Sequence, residues 1–182
     1  MPPEDATVSV EGLGSILVTG ELAAEGKQSL KFSDAAGQKY SFNPHLWYSP
    51  RLVAGKVRGS VDVRIEPGAV GHFEWRDYAG GAYRVGPSVR IDGDGKLLSG
   101  GKLLGKVPLS RWLRIEITCG LGETADGKWM LRYGPSGGEL AQVELTCDPQ
   151  FRKLDWAGFI ADATVAAAFY VDNVKIGPSP VP

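Results

Sequence analysis

The 182-residue chain is short of the residues on which most enzyme chemistry is built, with two His, two Cys and two Met. Two His without a C-x-x-C or H-x-x-x-H spacing do not make a zinc site. No apolar run is long enough to cross a bilayer as a helix. The N-terminal MPPEDATVSV has neither the basic stretch nor the apolar core of a signal peptide. Charge of either sign is also not in excess: 20 Lys and Arg face 21 Asp and Glu, for a net charge of −1. That balance excludes the basic footprint of a nucleic-acid binder and the polybasic surface that anionic lipid attracts. No window carries the 3.6-residue stripe of a long helix. With 43% hydrophobic and 23% charged residues, the composition also excludes intrinsic disorder.

What is present in quantity is glycine and proline, 25 and 12 residues, together with period-2 alternation. Ser60 to Glu66 reads SVDVRIE, with Val61, Val63 and Ile65 on one face and Asp62, Arg64 and Glu66 on the other. Arg111 to Cys119 and Glu139 to Cys147 alternate in the same way. Further strands are predicted at Ser15–Thr19, Ser29–Ser33, His72–Asp77, Tyr83–Ile91, Lys128–Tyr133, Trp156–Ala161 and Ala168–Ile176. Turn signals separate them, among them Gly80-Gly81, Asp92-Gly93-Asp94-Gly95 and Asp126-Gly127. A single helical turn is expected near Pro149 to Arg152. Many short strands at near-regular spacing predict an all-β fold, a two-sheet antiparallel sandwich or barrel. One domain is expected over 1–182, with linker-like Pro-rich ends at about 1–6 and 177–182, as in a chain joined to further domains. If the strands ending at Cys119 and Cys147 flank Lys128–Tyr133, the two thiols sit about 9.5 Å apart. That is beyond the roughly 7 Å a disulfide spans, so free buried thiols are expected unless the strand order sets them side by side.

Two clusters could carry chemistry. On a strand, His72, Glu74 and Arg76 share one face while Phe73 and Trp75 point into the core. A base, an acid and a cation in a row could hold a uronic acid by the Arg fork, with His72 or Glu74 as general acid or base; a solvated charge row is the alternative. The second cluster, Phe42 to Arg51, places His45, Trp47 and Tyr48 between two prolines and reads as an ordered loop or edge segment. Rings beside Asn and His suit a sugar, stacking on C–H bonds while amide and imidazole bond hydroxyls; Trp47 as a core plug is the other option. Tyr48 is expected to be the exposed partner. Trp75 and Trp156 are expected in the core, whereas Trp112 and Trp129 are either stacking platforms or covered by a second sheet. Hairpin pairing across Gly80-Gly81 would bring Arg84 and Arg90 into one groove with Glu74 and Arg76.

The strands Gly26 to Phe32 and Phe169 to Val174 resemble the first and last strands of jelly-roll carbohydrate-binding modules. The segments Gly59–Arg64, Gly86–Ile91, Val107–Trp112 and Leu154–Trp156 resemble the concanavalin A-like lectin and glucanase sandwich. The resemblance implies a jelly-roll, concanavalin A-like fold. It implies a non-catalytic carbohydrate-binding or accessory module of a secreted polysaccharide-processing protein, extracellular or periplasmic, whose partner is a polysaccharide or oligosaccharide. The expected binding residues are His45, Trp47, Tyr48, Glu74, Arg76, Arg84 and Arg90. The alternative is a polysaccharide lyase or glycoside hydrolase of the same fold acting on an acidic glycan through His72, Glu74, Arg76 and Tyr83; a further one is a structural domain without ligand. The E-x-D-x-x-E string of retaining glucanases is absent, and Tyr83-Arg84-Val85-Gly86 echoes the Tyr-rich lyase strand without its second Tyr, which is Ser88 here. No cofactor is required. Modules of this kind often hold a structural calcium through the last strand's Asp; the matching residue is Asp172, with Glu11 or Asp34 as conceivable mates.

Overall fold

A computed structural model describes residues 5–10, 12–78 and 81–179. The alternation read from the sequence becomes two stacked antiparallel sheets of seven strands each. In the first, the order is β1 (Ala6–Ser9), β4 (His45–Tyr48), β13 (Trp156–Ala161), β6 (Gly71–Asp77), β7 (Arg84–Ile91), β8 (Lys96–Ser99) and β9 (Lys102–Lys106). In the second it is β12 (Ala141–Thr146), β11 (Lys128–Pro135), β10 (Leu113–Leu121), β5 (Gly55–Ile65), β14 (Ala167–Pro178), β3 (Ser29–Asp34) and β2 (Ser15–Thr19). Each strand turns every second side chain inward, and the inward sets meet in one core. Val57, Val61, Val63 and Ile65 of β5 pack there with Ile115 and Ile117 of β10, Phe73 and Trp75 of β6, Phe159 of β13 and Phe169 of β14. At the centre Phe73 stacks on Phe159 and Phe32 on Phe169, with centroids 4.6 and 4.5 Å apart. The Trp75 indole is accommodated because Gly59 stands opposite: a Cβ there would lie 2.5 Å from Cζ2 of the ring.

The outcome follows the predicted fold class and refines several local expectations. The segment read as a loop or edge is β4, an interior strand between β1 and β13. Its prolines, Pro44 and Pro50, lie outside the hydrogen-bonded stretch, so neither removes a ladder donor. The helical turn expected near Pro149 is a plain turn closed by Phe151 N–H to Asp148 O at 3.0 Å, and the 3-10 turn lies instead at Gly122–Thr124. Gly177 and Pro178, expected in a linker, still pair with Arg58 and Val57. Residues 1–4, Glu11, Gly80 and 180–182, which carry the other linker and turn expectations, lie outside the described residues. β11 does separate β10 from β12, and both cysteines are free. Burial pushes the Cys119 thiol up to about 12 and the Cys147 thiol up to about 11. Trp129 belongs to the core cluster, 2% exposed, and donates to Thr146 O. No helix among the described residues is long and apolar enough to cross a membrane.

Candidate functional site

The register of the first sheet stacks the outward side chains of four adjacent strands in rows. One row runs His45, Ile160, His72, Arg90 and the next runs Trp47, Gly158, Glu74, Ser88; Trp156 pairs with Arg76 beyond them. Gly158 is required by this arrangement, because a Cβ there would lie 2.3 Å from Cη2 of Trp156. With no Cβ at that position, the indole occupies the space over Gly158. Phe42, His45, His72, Glu74, Arg76, Tyr83, Trp156, Ile160 and Asp162 together line a cleft of about 380 Å³.

Aromatic rings form the floor and both ends of the cleft. Tyr40 stacks on Phe42 (5.2 Å), whose edge meets His45 (5.9 Å); His45 stacks on Trp47 (5.1 Å) and Trp47 on Trp156 (6.3 Å). The ridge continues through the Arg76 guanidinium, held 4.1 Å from the Trp156 ring centre and 4.4 Å from that of Tyr83, and ends where Tyr83 meets Tyr78. Tyr40, Phe42, Tyr78 and Tyr83 are exposed.

The polar groups are tightly interlocked. Glu74, buried, accepts from Arg76 Nε at 2.6 Å and lies 3.4 Å from His72 Nε2. His72 Nε2 also meets Ser88 Oγ at 2.8 Å. Arg90 closes on Asp162 in a hydrogen-bonded ion pair. His45 Nδ1 is 2.9 Å from Oδ1 of the buried Asn43, which fixes the proton on Nδ1 and leaves Nε2 as an acceptor. Burial lowers the pKa of both imidazoles below the ordinary histidine value; at His72 the Glu74 charge works against this, and at His45 the Arg76 charge adds to it. Both rings are therefore neutral at pH 7 and able to accept from a hydroxyl.

Of the residues read from the sequence, His45, His72, Glu74, Arg76 and Tyr83 line this cleft, with Trp47 stacked beneath its edge and Arg90 paired to its Asp162. Two others are placed elsewhere. Tyr48 points to the opposite side of β4 and packs against the core, its hydroxyl pushed up to about 12 by burial, so Trp47 takes the outward position expected of Tyr48. A register shift between Glu74 and Arg76 sets Arg84 opposite Asp77 rather than in the common groove, and Arg84 donates to Gln150 O. Trp156, expected in the core, belongs to the outer face. Asp162 has no counterpart in the expected site, and Ser88 was expected only as the place of a missing Tyr. Phe42 and Asn43 stood in the cluster already singled out. Trp156 was concealed because WAGFIA is apolar on both faces.

Asp172 does not fit a calcium ion. Its carboxylate accepts the backbone N–H groups of Ala24, Glu25 and Asn173 at 2.8, 3.2 and 2.8 Å, so its oxygens face donors rather than a cation. Asp34 likewise holds the amides of Ala35 and Ala163. Among the described residues no group of three His, Cys, Asp or Glu gathers as a metal site.

No family model matches the chain, and no curated protein matches it in sequence. Solved structures do match its fold. The endo-β-1,4-glucuronan lyase of the fungus Trichoderma reesei superposes with a TM-score of 0.66 at 11% identity, covering 95% of this chain and 90% of its own. The PL-14 alginate lyase of Aplysia kurodai does so at 0.65 and 11%, covering 91% and 87%. Lectin I-B4 of Griffonia simplicifolia gives 0.57 at 7%, covering 97% and 94%. The chain is thus a concanavalin A-like jelly-roll β-sandwich, an architecture shared by lectins and polysaccharide lyases.

Proposed function

We propose that this protein is a non-catalytic carbohydrate-binding module that receives a polysaccharide across the outer face of its first sheet, in an extracellular or periplasmic setting. The observation that carries this reading is the ring ridge from Tyr40 to Tyr78, in which neutral imidazoles and a ring-clamped arginine line one open cleft. Ring faces take the C–H faces of sugars while His45 Nε2 and the hydroxyls of Tyr83 and Ser88 offer partners to sugar hydroxyls. The charged groups, by contrast, are already engaged. Glu74 and Asp162 are each closed by an arginine, so the cleft offers no pair of free carboxylates of the sort a glycoside hydrolase uses.

One observation favours a second reading, an eliminating lyase. The cleft sets a neutral His72, a cation at Arg76 and the exposed Tyr83 hydroxyl together, which are the base, the carboxylate neutraliser and the acid that β-elimination on a uronate needs. It ranks second because Arg76 Nε is committed to Glu74. Affinity electrophoresis in neutral and uronate-containing polysaccharides, with unsaturated product followed on the same substrates, tests both. Binding of the neutral polysaccharide without product from either substrate, weakened about three- to tenfold by Tyr83→Ala, is expected. Product formation that falls about a hundredfold in His72→Ala establishes the lyase instead, and binding indifferent to both Tyr83→Ala and Trp47→Ala removes the site.

A further inference from the structure

The outer face of the second sheet is built differently. Between β10, β5 and β14 runs a groove of about 450 Å³ lined by Arg58, Ser60, Arg114, Glu116, Lys175, Ile176, Gly177 and Pro178. Three cations line it against one carboxylate. That carboxylate, Glu116, is doubly engaged at the groove floor, 2.7 Å from Arg58 and 2.8 Å from Arg132. Beside it Asp62, fully buried, receives Arg114 at 2.7 Å and Asn173 Nδ2 at 2.7 Å. Two low-lying carboxylates thus each engage their arginines at one nitrogen, with Arg58 and Arg132 still 47% and 45% exposed and Arg114 24%. Lys175 stands exposed on β14 opposite Ser60 and makes no ion pair among the described residues. Among the described residues, no aromatic ring lines the groove.

We propose that this groove is a second glycan-binding site, selective for an oxyanion group, carboxylate or sulfate, carried on an acidic polysaccharide. Pre-ordered guanidinium forks match such groups geometrically, and an unpaired lysine supplies the net attraction. A polysaccharide fits better than a nucleic acid, because no ring is available for base stacking and the chain as a whole is not basic. The site stands independently of the ring ridge, which lies on the other sheet.

The test is retention of the intact chain on gels containing polygalacturonate, dextran sulfate, neutral dextran or single-stranded DNA, in low and high salt. Wild type is expected to be retarded by one or both acidic polysaccharides and not by dextran, with the effect lost in high salt. The two acidic gels distinguish carboxylate from sulfate. Lys175→Glu combined with Arg58→Gln should weaken retention about tenfold while leaving the melting curve in place, because Glu116 keeps Arg132. Tyr83→Ala on the other face should leave the acidic-gel retention unchanged. Retention lost in Tyr83→Ala but kept in the double variant overturns the proposal in favour of the first sheet. Stronger retention on DNA than on either acidic glycan overturns the choice of partner, and absence of retention on all gels overturns the site.

Discussion

The two outer faces of the sandwich use the same device, strands whose outward positions alternate with core residues, and arrive at opposite surfaces. On the first sheet Arg76 is covered where it meets its carboxylate, 18% exposed over Glu74 at 8%, with a ring on either side of it. What remains for solvent is aromatic. On the second sheet the carboxylates sink and the cations stay up: Asp62 is fully buried and Glu116 is 13% exposed, while Arg58 and Arg132 remain 47% and 45% exposed. A net charge near zero therefore says little about what a partner meets. In these pairs of both faces the carboxylate is the deeper member; what a face presents depends on whether rings cover the cation above it.

The contrast breaks most visibly at Arg114. Removing it by Arg114→Ala leaves Asp62, already without a partner at Oδ1, with only Asn173 to balance a buried charge. A loss of about 3 kcal/mol or more in urea unfolding is expected. Arg76→Ala on the other face is expected to cost less, about 1–2 kcal/mol, because Glu74 retains the His72 ring nearby. The reverse order would show that Glu74, not Asp62, is the more dependent carboxylate.

How far the sequence foretold these faces differs between them. The sandwich was legible from strands such as SVDVRIE, whose alternation survives intact in β5, and the row His72, Glu74, Arg76 was legible for the same reason. Alternation assigns a side chain to a face but does not supply its neighbours. Arg84 left the expected groove through a one-residue register shift between β6 and β7, which no local pattern announces. Trp156 was hidden by a strand that is apolar on both faces, and only the space left by Gly158 explains its place. The basic groove escaped notice because its residues come from β5, β10 and β14, spread over more than a hundred positions, with Lys175 and Asn173 set by a bulge in β14.

A smaller effect separates the faces by pH. His72 and His45 both lie on the first face, and burial holds both below their ordinary pKa. The unfolded chain therefore takes up protons that the native state refuses, so stability is full above about pH 6.5 and declines as pH falls below it. Urea midpoints measured from pH 8 to pH 5 should drop across this range, and the combined His72→Gln and His45→Gln variant should flatten the profile. The second face carries no histidine, so Lys175→Glu should leave the slope as it was. A slope that persists in the double histidine variant would place the proton uptake elsewhere.

The smallest effect belongs to Arg58, and its smallness is the informative part. Its partner Glu116 is shared with Arg132, and its own side chain is nearly half exposed, so the pair contributes little beyond screened attraction. Arg58→Gln alone should change unfolding free energy by less than about 1 kcal/mol, against several for Arg114→Ala. If the two arginines were equally costly to remove, Glu116 would be as dependent on its cations as Asp62. The exposed guanidinium groups of this face would then be structural rather than available. A low cost at Arg58, with a high one at Arg114, is what a face would show when it anchors some cations for the fold and leaves others free to meet an anion.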